Sequence, residues 1–181
     1  MYLDPAVELV LRGAFIALFA AALAHKALRF DSFVPTVAAY GRGLPLGRGP
    51  IALVAALAVM LGEAGALVVC VVPVAHALRA GVISGILLLY AAAMAGNLLR
   101  GNTLLDCGCN WGSLRQTVGY PLVYRNLLLA ALALVLALPS APRSLGGLDL
   151  VTVLAGVALS ALVYAAANRL FTEPFATGGT T

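Results

Sequence analysis

Charge is scarce in this sequence: 10% of its 181 residues are Asp, Glu, Lys or Arg, where a soluble domain carries about 25%. A folded domain bathed in water on all sides is therefore excluded. The net charge is +4, but the basic residues are scattered along the edges of apolar blocks. That pattern suits anionic lipid headgroups and excludes the clustered basic face that nucleic acid requires. Cysteine is scarce too. Three residues, Cys70, Cys107 and Cys109, are too few for a disulfide-stapled secreted scaffold, which would also be soluble and loop-rich. Histidine is limited to His25 and His76. The residues before the first apolar run include Asp4 and Glu8, where a cleaved signal peptide would be positive. The first block is accordingly expected to remain as a helix.

What is abundant is apolar material, 62% of the chain, in blocks long enough to cross a bilayer, since ~20 residues at 1.5 Å each span ~30 Å. The expected fold is all-α: a polytopic transmembrane bundle of about five helices, roughly over 6–28, 51–72, 82–99, 122–138 and 150–170. These make one domain over 1–170, followed by a polar, Gly- and Thr-rich tail over 171–181 expected to be disordered. Between the first two spans, Phe30, Phe33, Val34, Val37 and Tyr40 recur at helical spacing, which predicts a short amphipathic helix on the membrane surface. Pro73 ends or kinks the second span, and 74–81 reads as a tight turn. Small residues of the third span, Gly85, Ala91 and Gly96 among them, are expected to admit close helix neighbours.

The chemistry-bearing stretch is Asp106-Cys107-Gly108-Cys109, in the loop between the third and fourth spans. Two cysteines separated by one residue lie at the limit of disulfide geometry, which wants Cα atoms about 4.4–6.8 Å apart. Gly108 eases the fold-back because glycine tolerates positive φ. A ring closed this way would be strained, and strained disulfides are more oxidising and exchange more readily. Arg100, Arg115 and Arg125 lie nearby in sequence or at the same membrane edge, and positive charge favours the reactive thiolate. Asp106 opposes that effect or relays a proton. Three readings of the pair stand together: an exchangeable redox pair, a static disulfide pinning the loop, and a two-thiolate metal site. The last needs further ligands, and only His25 lies on the same side, so no metal is expected.

Five spans put the first connector, the cysteine loop and the C-terminal tail on one side, termed here the cysteine side. His25, Lys26, Asn97, Arg100, Arg125 and Asn126 converge there. His25 can exchange a proton at neutral pH; its ordinary role is interfacial. Trp111 is a default interface anchor, and it could also stack on a partner or on a planar quinone. Cys70, deep in the second span, reads as an inert small hydrophobe. Glu63 is an acid within a span, where such residues are costly and normally paired or functional. Counted at 1.5 Å per residue, Glu63 and Arg12 lie at matching depths, roughly 18 and 20 Å from the cysteine side. The sequence therefore predicts an Arg12–Glu63 ion pair between the first two spans, with a role in helix register or in proton transfer.

Several of these residues also carry a family resemblance. Lys26, Ala39-Tyr40-Gly41, Leu44-Pro45, Glu63, Asn97-Leu98-Leu99-Arg100-Gly101, Asp106-Cys107-Gly108-Cys109 and Arg125-Asn126-Leu127-Leu128 together resemble the MauE/DoxX-like family of membrane proteins over most of the chain. The Asp-Cys-Gly-Cys loop followed by Arg-Asn on a helix is the specific part. Asn110 stands where the family often has an aromatic, and Trp111-Gly112 follow it.

The resemblance implies a role in maturing the periplasmic, disulfide-rich small subunit of methylamine dehydrogenase, together with a thioredoxin-like partner, MauD. The implied activity is thiol–disulfide exchange at Cys107 and Cys109, supported by Asp106, Gly108, His25, Arg100, Arg125 and Asn126. No tightly bound cofactor is expected, with a membrane quinone as an optional electron acceptor. Two rivals remain. One is a non-enzymatic chaperone or docking platform with a structural disulfide, and the other is a small transporter using Arg12 and Glu63. The implied location is the bacterial inner membrane with the cysteine loop facing the periplasm. The positive-inside rule opposes that orientation, because eight of the eleven basic residues fall on the cysteine side.

Overall fold

The structure, a computed structural model, describes residues 2–42, 49–102 and 119–170. Six helices follow one another: α1 Pro5–Leu28, α2 Phe30–Tyr40, α3 Gly49–Val71, α4 His76–Leu99, α5 Tyr120–Leu134 and α6 Gly147–Leu170. One 3₁₀ turn, Val135–Ala137, extends α5. All but α2 are long and apolar enough to cross a membrane. The chain is thus a multi-pass helical bundle with α2 as the short connector helix, as the amphipathic pattern predicts.

Helix starts and stops have local causes. Asp4 caps α1 by accepting a hydrogen bond from the Ala6 N–H at 2.8 Å, and Pro5 occupies the first turn, where its missing N–H costs nothing. The α4 helix begins at His76, inside the turn predicted over 74–81 and six residues before the predicted helix start at Val82. The charge of Arg79 made that stretch read as loop, whereas Arg79 is buried and paired. At its other end α4 closes through a Schellman arrangement. The Gly101 N–H donates to the Leu98 carbonyl and the Asn102 N–H to the Asn97 carbonyl, both at 3.0 Å. Gly101 takes φ +76°, a conformation glycine adopts without a Cβ penalty. The Asn-Leu-Leu-Arg-Gly motif is therefore a helix stop that sets how the chain leaves α4 toward the cysteine loop.

The bundle has small residues inside and large ones outside. Along α3 the buried positions are Ala52, Ala56, Glu63, Ala66 and Cys70, spaced by three, four or seven residues and so on one face. Leu53, Val54, Leu57, Leu61 and Val68 point outward. Such packing is favoured in lipid, where apolar side chains gain nothing by leaving the hydrocarbon. The main core joins Phe15 and Phe19 of α1, Ala66 and Cys70 of α3, Ile83 and Leu87 of α4, and Ala130 and Ala133 of α5.

Helices α1 and α6 approach each other closely. A Cβ on Gly13 would lie 2.5 Å from Val157 Cγ2, and one on Gly156 would lie 2.8 Å from Val10 Cγ2. Each helix supplies a glycine that receives a valine of the other. Of the small residues of α4 expected to admit close neighbours, Ala91 is buried in a core with Leu122 and Val123 of α5, whereas nothing among the described residues lies within 4 Å of a Cβ at Gly85 or Gly96.

The N-terminus meets the α5–α6 turn. The Leu3 N–H donates to the Pro139 carbonyl and the Ala141 N–H to the Leu3 carbonyl. Arg143 bridges Asp4 and Asp149 at 3.1 and 2.7 Å. The side opposite the cysteine loop is thereby stitched shut.

Candidate functional site

The predicted Arg12–Glu63 pair does not form. Helices α1 and α3 are antiparallel, and Arg12 lies against the end of α3: its Nε donates to the Cys70 carbonyl at 2.7 Å and its Nη2 to the Val71 carbonyl at 3.3 Å. Glu63 instead pairs with Lys26, whose Nζ is 2.5 Å from Oε1. The depth count failed because it compared Cα positions. Side chains lean toward the N-terminus of their own helix. Lys26, near the end of α1, leans back into the bundle, while Glu63 leans toward the start of α3. In an antiparallel pair these directions converge.

Lys26 and Glu63 are 2% and 0% exposed, so this is an ion pair fully removed from lipid and water. Four helices build it. Besides Lys26 from α1 and Glu63 from α3, α4 contributes Tyr90, whose hydroxyl donates to the same Oε1 at 2.6 Å. The α2 helix contributes Phe33. The Lys26 ammonium stands 5.6 Å from the centroids of both the Phe33 and the Tyr90 rings, within cation–π range. Glu63 Oε2 is buried without a hydrogen-bond partner among the described residues.

A second buried acid occupies the opposite end of the bundle. Glu8 binds Arg79 Nη1 at 2.8 Å and approaches Arg12 Nη1 at 3.6 Å, and the Ser140 hydroxyl donates to its other oxygen. Arg79 Nε also donates to the Val69 carbonyl at 3.0 Å. That carbonyl would ordinarily receive the N–H of residue 73, but Pro73 has none. The two guanidiniums therefore cap the last carbonyls of α3, where the helix dipole is negative. Arg12 has a structural position here.

On the cysteine side, Asn97, Arg125 and Asn126 are held by residues outside the predicted cluster. Asn97 is buried and its Nδ2 donates to the Tyr40 carbonyl at 3.2 Å, tying α2 to α4. Asn102 donates to Asn97 Oδ1 at 3.3 Å. Arg125 donates to Asn168 Oδ1 at 2.6 Å and stacks 5.3 Å from the Tyr164 ring, which joins α5 to α6. Asn126 is buried and donates back to the Leu122 carbonyl at 2.8 Å. His25 is half-buried near the end of α1, and Arg100 is exposed at the end of α4. Asp106, Cys107, Gly108, Cys109 and Trp111 lie outside the described residues, as do Arg115 and the tail 171–181. Among the described residues no group of acids, cysteines and histidines is arranged to hold a metal.

Sequence reasoning did not assign partners to Lys26, Tyr90, Glu8, Arg79 or Ser140. One signal was available for Lys26: it is the one lysine, the other ten basic residues being arginine. Glu8 and Arg12, four apart, face the same way on one helix. Nothing local marks Ser140 or Tyr90.

These features define a polytopic helical membrane protein with polar clusters at both ends and a Cys-Gly-Cys sequence between its third and fourth spans. The chain belongs to the family described as methylamine utilisation protein MauE, whose model matches residues 5–139. It is 40% identical to the methylamine utilization protein MauE of Paracoccus denitrificans over 172 residues, covering 93% of this chain and 89% of the relative. It is 34% identical to that of Paracoccus versutus, over 90% and 87%, and 33% identical to that of Methylophilus methylotrophus, over 94% and 89%. No solved structure matches the chain.

Proposed function

We propose that this chain is a membrane thiol–disulfide redox protein of methylamine utilisation, exchanging disulfides at Cys107 and Cys109 with a thioredoxin-like protein. Its end product is the matured, disulfide-bonded small subunit of methylamine dehydrogenase. The observation that carries the proposal is the Cys107-Gly108-Cys109 pair in a chain of this family, in the loop between α4 and α5. The pair lies in sequence between the Asn97–Gly101 helix stop and α5, the helix of Arg125 and Asn126.

In the proposed exchange, the thiolate of one cysteine attacks a partner disulfide, forming a mixed disulfide and releasing one partner thiolate. The second cysteine then attacks the mixed disulfide. The membrane protein is oxidised and the partner reduced; the reverse sequence oxidises the partner. Reoxidation of the membrane pair requires an acceptor of the disulfide or quinone class. Arg100, exposed at the end of α4, supplies positive charge at the edge where the loop begins.

The test replaces Cys107 and Cys109 with Ser together. Normal membrane insertion with loss of small-subunit disulfides supports the proposal. Retained maturation would assign the chain a docking role with a structural disulfide. We place the loop on the periplasmic side of the inner membrane. An impermeant thiol reagent that fails to label reduced Cys107 or Cys109 on intact cells would reverse that orientation.

A further inference from the structure

We propose that the Lys26–Glu63–Tyr90 cluster is a proton-binding site inside the membrane, with Glu63 Oε2 as the atom that takes the proton. Both donors to Glu63, the Lys26 ammonium and the Tyr90 hydroxyl, converge on Oε1. The other oxygen is equally buried and has no partner among the described residues. A buried carboxylate oxygen without a donor is costly. A proton placed on Oε2 removes that cost and disturbs neither existing hydrogen bond.

Proton uptake converts ammonium plus carboxylate into ammonium plus carboxylic acid, and the cluster goes from neutral to a single positive charge. The surroundings suit both states. The Phe33 and Tyr90 rings flank the ammonium and hold a cation by their quadrupoles even when the carboxylate is neutralised. Among the described residues, the groups facing the site are Lys26 from α1, Phe33 from α2, Glu63 from α3 and Tyr90 from α4, of which Lys26, Glu63 and Tyr90 are ionisable. His25, next to Lys26 and half-buried at the same end of α1, is the nearest titratable neighbour along that helix. The basic partner is also the chain's one lysine.

A use for the site follows on the thiol–disulfide reading, on which this step alone rests. Oxidation of the Cys107–Cys109 dithiol to a disulfide releases two electrons and two protons. The electrons pass to an acceptor of the quinone or disulfide class. The acceptor takes up two protons as it is reduced to quinol or dithiol; Glu63 Oε2 holds one of the two in passage, and water at the membrane edge carries the other.

The experiment follows the carboxyl carbon of Glu63 directly. The chain contains three glutamates, Glu8, Glu63 and Glu173. Glutamate labelled with ¹³C at Cδ therefore gives three signals in the full-length protein in lipid nanodiscs, and Glu63→Gln assigns one of them. The Glu63 signal is expected to move from carboxylate to carboxylic acid as pH is lowered across the range where the protein stays folded. The Lys26 Nζ signal, single because there is one lysine, remains that of an ammonium. Tyr90→Phe, which removes one donor, shifts the midpoint while the fold is retained. A Glu63 signal that stays constant over that range, or an unchanged midpoint in Tyr90→Phe, would overturn the proposal and leave a permanent structural ion pair. The wild-type titration remains decisive if Glu63→Gln does not fold, because Glu173→Gln assigns the tail signal and Tyr90→Phe then marks the Glu63 signal as the one of the remaining two whose midpoint moves. The Cys107→Ser/Cys109→Ser variant separates the two readings. Titration retained there, with maturation lost, upholds both; titration and maturation both retained uphold the proton site and remove the redox reading.

Discussion

Glu8 and Glu63 are the same residue type, both buried in apolar spans, and they are built in opposite ways. Glu8 has both oxygens engaged, by Arg79 and Arg12 on one and Ser140 on the other. Its cations are guanidiniums, which do not release protons at any physiological pH. Glu63 has one oxygen doubly engaged and the other without a partner, and its cation is a lysine. The Glu8 end is also where the N-terminus is stitched to the α5–α6 turn and where Gly13 and Gly156 lock α1 to α6. The Glu63 cluster lies toward the end from which the cysteine loop emerges. One end of the bundle is fastened, and the other keeps chemical capacity.

The largest effect that would test this contrast is expected from Glu8→Ala. It leaves the buried Arg79 without its counter-ion and should cost about 3–5 kcal/mol, read by reversible unfolding in detergent. Lys26→Met should cost less, about 1.5–3 kcal/mol from the lost charge-assisted hydrogen bond, because the carboxyl left behind can be neutralised by a proton whereas a guanidinium cannot. Equal costs for the two variants would dissolve the distinction.

Packing at the fastened end gives the next effect. Gly13→Ala forces a Cβ against Val157 and should cost about 1–3 kcal/mol, recovered in part by Val157→Ala. Gly85→Ala, which meets nothing within 4 Å, should be neutral or slightly stabilising, since alanine is the better helix former. The smallest effect concerns Asp4, at the membrane edge. The hydrogen bond from Arg143 holds its carboxyl below the usual aspartate value. A depressed folded value means the contribution is complete above about pH 4, the unfolded value, and is lost as pH falls through the lower, folded one. Arg143→Gln should weaken that acid-side dependence, the Ala6 N–H bond to Asp4 remaining, seen as a smaller loss of thermal stability on acidification.

Much of the fold was legible because lipid imposes a coarse rule: long apolar blocks must be helices. All five spans, and the short helix α2 with its buried Phe33, follow from block length and helical spacing. Arg79 was misplaced because a charge beside a proline reads as a turn until its partners, Glu8 and the Val69 carbonyl, are known. The Arg12–Glu63 pairing was misassigned because Cα depth ignores how far a lysine side chain travels and in which direction. The choice between two basic candidates for one acid depends on helix rotation, which an almost uniformly apolar sequence does not encode visibly. The same limit hid Tyr90 and Ser140. The cysteine motif was legible as chemistry, while its geometry lies outside the described residues.

The most direct measurement is the trapping of a mixed disulfide in native membranes from single-cysteine variants, Cys107→Ser and Cys109→Ser. The account predicts a reductant-sensitive adduct between one of these variants and a thioredoxin-like protein, absent from the double Cys107→Ser/Cys109→Ser variant. No adduct from either single variant, with small-subunit maturation intact in the double variant, would contradict it.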